Sequence, residues 1–65
     1  MTIREFLGLK VSCEYITILN EKELDKTLWQ GEYETIDNQI PCWLANSTMI
    51  KWSVKNDGIV LWVNI

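Results

Sequence analysis

The chain is predicted to fold as an α+β domain. A small antiparallel sheet of about four strands, arranged as two hairpins, carries a short N-terminal helix and a second short helix near Pro41. Three observations predict this. The chain opens on Thr2-Ile3-Arg4-Glu5, a capping-box pattern followed by apolar residues at helical spacing. Residues 13–19 and 26–33 are rich in β-branched and aromatic side chains and are separated by polar turn residues. Residues 48–65 alternate apolar and polar on one side of Asp57-Gly58 and run apolar on the other. Sixty-five residues allow a single domain, 1–65.

In the helix, the Thr2 hydroxyl can accept from the Glu5 backbone while the Glu5 carboxylate reaches back to Thr2. Ile3, Phe6 and Leu7 form its apolar stripe, and Gly8 stops it after about two turns. The first strand runs from Cys13 to Leu19, with Tyr15, Thr17 and Leu19 on one face and Ile16 and Ile18 on the other. Neither face is cleanly polar, which suits a central strand. Residues 20–25 form a turn, with room for one helical turn over Glu21 to Leu24. The second strand, Lys26 to Tyr33, turns Leu28 inward and Thr27 and Trp29 outward, and Gly31 marks a bulge or the strand end. Glu34 to Gln39 is polar loop. Pro41 suits the first position of the short helix, which continues through Trp43, Leu44 and Ala45.

The last hairpin turns on Asp57-Gly58, with both of these central residues expected at positive φ, where Gly58 has no Cβ to clash. That turn pairs Val54 with Leu61, Trp52 with Val63 and Ile50 with Ile65 on an apolar face. The other face holds Lys51, Ser53, Lys55, Val60 and Trp62. The predicted core is Ile3, Phe6, Leu7, Ile16, Ile18, Leu28, Leu44, Ile50, Trp52, Val54, Leu61 and Val63.

A domain this short buries only ~60% of the surface its unfolded chain exposes. Four tryptophans, Trp29, Trp43, Trp52 and Trp62, partly offset that. They also exceed what so small a core needs, which points to an interface. The net charge is −3, and residues 14–37 hold seven acids against Lys22 and Lys26. Two readings stay open: a surface that meets a basic partner, or a solvated half that keeps the protein soluble. With no basic patch, direct nucleic-acid binding is not expected. The N-terminus has no signal-peptide pattern and no apolar run is long enough to span a membrane, so a cytoplasmic location is expected. Cys13 and Cys42 are then small buried hydrophobes, with a disulfide as the alternative.

Chemistry has little to work with. The chain has no histidine, no Cys-x-x-Cys pair and no glycine-rich loop. Glu32 and Glu34 could share a strand face, but without a cleft such carboxylates are solvated. The expectation is a non-enzyme with no catalytic residues, cofactor or metal.

Thr2 to Leu7, Leu28 to Gly31 and Ile40 to Leu44 follow one another as Thr-Ile-Arg-Glu-Phe-Leu, Leu-Trp-Gln-Gly and Ile-Pro-Cys-Trp-Leu. In this order the chain resembles small uncharacterised proteins encoded by bacteriophages and mobile elements of Gram-positive bacteria. The resemblance implies a cytosolic phage or mobile-element product and carries no activity. With the surplus tryptophan and the acidity, it leads to an expected role as a small acidic, non-catalytic protein-binding module, an anti-defence inhibitor of a host protein. The alternative is a self-assembling structural homo-oligomer. The expected interface residues are Trp62, Val60 and Lys51 on the second face of the last hairpin, Trp29 and Trp43, and the acids Glu21, Glu23, Glu32 and Glu34.

Overall fold

A computed structural model of the protein describes residues 1–9, 14–55 and 58–65, with the backbone alone at 37 and 38. The first helix, α1 (Ile3–Leu7), forms as its capping box dictates. The Glu5 N–H donates to Thr2 Oγ1 at 3.1 Å and the Thr2 N–H donates to Glu5 Oε1 at 2.9 Å. Ile3, Phe6 and Leu7 are buried.

Strand β1 (Tyr15–Asn20) is followed by a 3₁₀ turn over Glu21–Glu23, and β2 (Lys26–Glu32) returns antiparallel to it. The turn closes through Leu24 and Asp25, both left-handed, with φ of 58° and 61°. The register shifts opposite Ile18 and Leu19, so Leu28 is the extra residue of a bulge. Trp29 therefore does not oppose Leu28 across the strand as predicted; both pack against the core. The Trp29 ring also lies over Gly31, where an added Cβ would sit 2.7 Å from it.

A 3₁₀ turn, Tyr33–Thr35, leads into α2 (Ile36–Gln39), where loop was expected, and Ile36 joins the core. The next helical turn, α3 (Cys42–Ala45), starts one residue after Pro41. Pro41 sits extended at the N-cap (ψ 141°) rather than inside the helix, and Leu44 and Ala45 are buried. Cys42 is exposed and unbonded, not a buried hydrophobe, and Cys13 lies outside the described residues. Strands β3 (Met49–Val54) and β4 (Gly58–Val63) complete the chain.

The sheet order is β2-β1-β4-β3. The sheet is mixed, not wholly antiparallel, because β1 and β4 pair in parallel from Tyr15↔Gly58 to Asn20↔Val63. Each hairpin contributes one central strand, and these two run the same way. β4 suits that place because it is apolar on both faces, as buried parallel strands are.

The register of the last hairpin also differs from the prediction. Val54 pairs with Ile59, Trp52 with Leu61 and Lys51 with Trp62. Lys55 N–H donates to the Gly58 carbonyl at 2.8 Å, so Gly58 is a strand residue rather than a turn residue; Asn56 and the predicted turn residue Asp57 are outside the described residues. Gly58 is not at positive φ. Its missing side chain serves a close approach, since an added Cβ would lie 2.7 Å from the Tyr15 carbonyl oxygen.

The three helices cover one face of the sheet, over a core of Ile3, Phe6, Leu7, Ile16, Ile18, Ile36, Leu44, Ala45, Ile59, Leu61 and Val63. Three predicted core residues, Ile50, Trp52 and Val54, are exposed, and Leu28 is half-buried. Trp52 and Val54 do lie on the helix-covered face, paired with Leu61 and Ile59, but β3 is an edge strand and the cover ends short of it. At the opposite end of the core the buried Asn20 side chain fastens the last residue. Its Nδ2 donates to the Ile65 carbonyl at 3.2 Å, and its Oδ1 accepts from the Ile65 and Lys22 N–H groups.

Candidate functional site

Strand alternation puts Tyr15, Thr17, Leu19, Gln30, Lys51, Ser53, Val60 and Trp62 on the sheet face away from the helices. None of the three helices covers this face. Three predicted interface residues meet on it. Trp62 is half-buried, its Nε1 donates to Asp25 Oδ1 at 3.2 Å, and Lys51 Nζ stands 4.9 Å from its ring centroid. Val60 lies beside Gly58, Lys55, Tyr15, Thr17 and Gln30 around a shallow hollow of about 310 Å³. Gln30 Nε2 donates to Thr17 Oγ1 there at 3.2 Å.

The predicted acids do not converge. Glu21 pairs with Lys51 at 3.0 Å and Glu23 with Lys26 at 3.8 Å, at the turn end of the first hairpin. Glu32 and Glu34 stand at its other end, with Glu14 and Tyr15, around a second open hollow. A six-residue strand separates the two groups, roughly 17 Å at ~3.4 Å per residue. Trp29 is turned to the core side, whereas Trp43 is exposed on α3.

A surface that sequence reasoning missed is the outer edge of β3. Lys55 bonds inward to Gly58, so antiparallel alternation turns the backbone groups of Lys55, Ser53 and Lys51 toward β4. The N–H and C=O groups of Trp52 and Val54 turn outward. A register shift between Met49 and Lys51 reverses that order. Upstream of it, the Met49 N–H bonds the Met1 carbonyl at 2.8 Å and the Ile3 N–H bonds the Ser47 carbonyl at 3.0 Å. The N-terminal residues thus occupy the edge as far as Met49, and among the described residues nothing pairs with it beyond.

Trp52 is 52% exposed and Val54 66% exposed at that outer stretch, and the Trp52 ring rests 5.7 Å from that of Phe6. Residues 39–55 contain Lys51 and Lys55 and no acid, so this edge brings two lysines of its own, with Glu21 of the first hairpin paired to Lys51. The signal was available: a lysine within the strand and another just past its end are a common way of guarding an exposed edge.

Cys42 lies within 3.9 Å of Arg4 Nη2 and 3.6 Å of Asn46 Nδ2. No group of three or more metal-ligating side chains converges among the described residues. No described helix is long and apolar enough to cross a membrane. Comparisons with protein-family models, with curated proteins and with solved structures find no match to the chain.

Proposed function

We propose that the chain is a non-catalytic protein-binding module. In line with the resemblance noted above, its target is a host protein that it inhibits in the host cytoplasm, as a phage or mobile-element factor. The observation that carries the binding role is the outer stretch of β3, where Trp52 and Val54 expose apolar side chains beside outward backbone groups that no described residue pairs. Large apolar residues beside a free strand edge are a liability in solution and an asset at an interface. Tryptophan is also the residue type most enriched at binding hot spots.

The test is capture from host lysates with the tagged chain and its Trp52→Lys variant. The expected result is a stoichiometric protein held by the first and released by the second. Recovery of no stoichiometric partner across several candidate hosts would count heavily against the proposal. The same edge supports a second reading, a homo-oligomer that buries Trp52 and Val54 between copies. Light scattering separates the two, since a monodisperse monomer at high protein concentration excludes self-assembly.

A further inference from the structure

Resting on the binding-module reading, we propose that the outer edge of β3 takes an acidic, extended segment of the partner protein as an added antiparallel strand. The segment has the pattern acid, apolar, any residue, apolar, acid. The geometry sets each position. Trp52 and Val54 each turn an N–H and a C=O outward, so an antiparallel strand can exchange two hydrogen bonds with each. Residues opposite Trp52 and Val54 point to the helix side of the sheet. They meet the exposed Trp52 ring and the Val54 methyls, which calls for apolar side chains.

Residues opposite Lys51 and Lys55 point to the open face. The two lysines lie four positions apart on that face, with Ser53 between them. An acid at each end of a five-residue segment meets one lysine each, and a basic segment is repelled there. Lys51 is paired with Glu21, but both side chains are about half exposed, and an exposed ion pair of this kind is worth little and exchanges readily. The length of the segment is bounded as well. Met1 blocks the edge at Met49, and Lys55 is the last described residue on the β3 side of the hairpin, which leaves residues 51–55 as the pairing window. The antiparallel sense matches the pairing that Thr2 already makes with Thr48 on the same edge.

The test uses the full chain and fluorescein-labelled peptides that carry Glu-Val-Thr-Val-Glu or Lys-Val-Thr-Val-Lys between Gly-Ser flanks. Fluorescence anisotropy is expected to show the acidic peptide binding roughly tenfold more tightly, from two exposed charge pairs. The preference is expected to reverse in the Lys51→Glu/Lys55→Glu double variant. Val54→Pro removes an outward N–H without touching the bonds to β4, and is expected to abolish binding. If that variant does not fold, hydrogen exchange of the unsubstituted chain reads the same contact, as slowed exchange of the Trp52 and Val54 amides when the acidic peptide is added.

Equal affinity for the two peptides, no binding, or protection confined to other strands overturns the proposal. So does a dimer of the chain alone that protects Trp52 and Val54, because the edge would then belong to a second copy. A natural partner whose capture survives Val54→Pro and fails with Val60→Glu overturns this inference and leaves the binding-module reading standing.

Discussion

Gly58 and Leu24 show how a single residue can sit well or badly in its backbone. Gly58 meets the β1 backbone so closely that a Cβ would lie 2.7 Å from the Tyr15 carbonyl oxygen. Backbone cannot step aside as a flexible side chain can, so Gly58→Ala is expected to destabilise the fold by ~1–3 kcal/mol. A lowered urea midpoint with an unchanged slope would show it. Leu24 is the reverse case. It holds a φ of 58° and is 97% exposed, so it bears left-handed strain with no packing in return. Leu24→Gly is expected to stabilise by ~0.5–1 kcal/mol after the greater chain entropy of glycine is offset. The readout is a thermal midpoint raised by a few degrees, and a lowered midpoint would contradict it. The sequence marks Gly58 as special but assigns it to the turn, because the demand comes from a strand far away in the chain.

Elements whose cause is local are legible from the sequence. The capping box of α1 needs only Thr2 and Glu5, and it forms as written. Hydrogen bonds from Thr2, its backbone N–H first and its hydroxyl second, hold the Glu5 carboxyl below the usual carboxylate range. The unfolded chain lacks these bonds. Their contribution is therefore complete above the ordinary glutamate range and is lost as pH falls through the lowered native value. Glu5→Gln, which keeps a hydrogen-bonding side chain and removes the charge, is expected to lower stability near neutrality and to matter least at roughly pH 2. Urea unfolding at the two conditions checks this, and an equal effect at both would refute it. Strand parity is legible for the same local reason, and Ile16, Ile18, Leu61 and Val63 are buried as their alternation predicts. The helix α2 is not, since Ile36 is the one apolar residue in Ile-Asp-Asn-Gln. Nor are the register shifts at Leu28 and Ile50, which no neighbouring residue announces.

At the scale of the whole molecule, burial depends on neighbours rather than on pattern. Trp52 and Leu61 pair directly on the same face, yet Leu61 is fully buried under the helices and Trp52 stands half outside them. Leu61→Ala is expected to cost ~2–5 kcal/mol and Trp52→Ala only ~1–2 kcal/mol, although tryptophan is the larger side chain. Chemical denaturation of the two variants compares them, and a costlier Trp52 would place the core boundary beyond β3. The candidate edge was hidden because strand order was hidden. β4, with its apolar run on both faces, was the clue to which strand sits in the middle. The parallel pairing of β1 with β4 also has a consequence in time. Each hairpin can close on its own turn, in ~1–10 μs. The seam between them joins Tyr15 to Gly58 and Asn20 to Val63, 43 residues apart in each case, so its closure is expected to follow that of the hairpins. Gly58→Ala, placed in that seam, is expected in stopped-flow to slow refolding more than it speeds unfolding. Until the hairpins meet, each central strand is itself an unpaired edge, and that interval is when the chain is most open to pairing with the wrong neighbour.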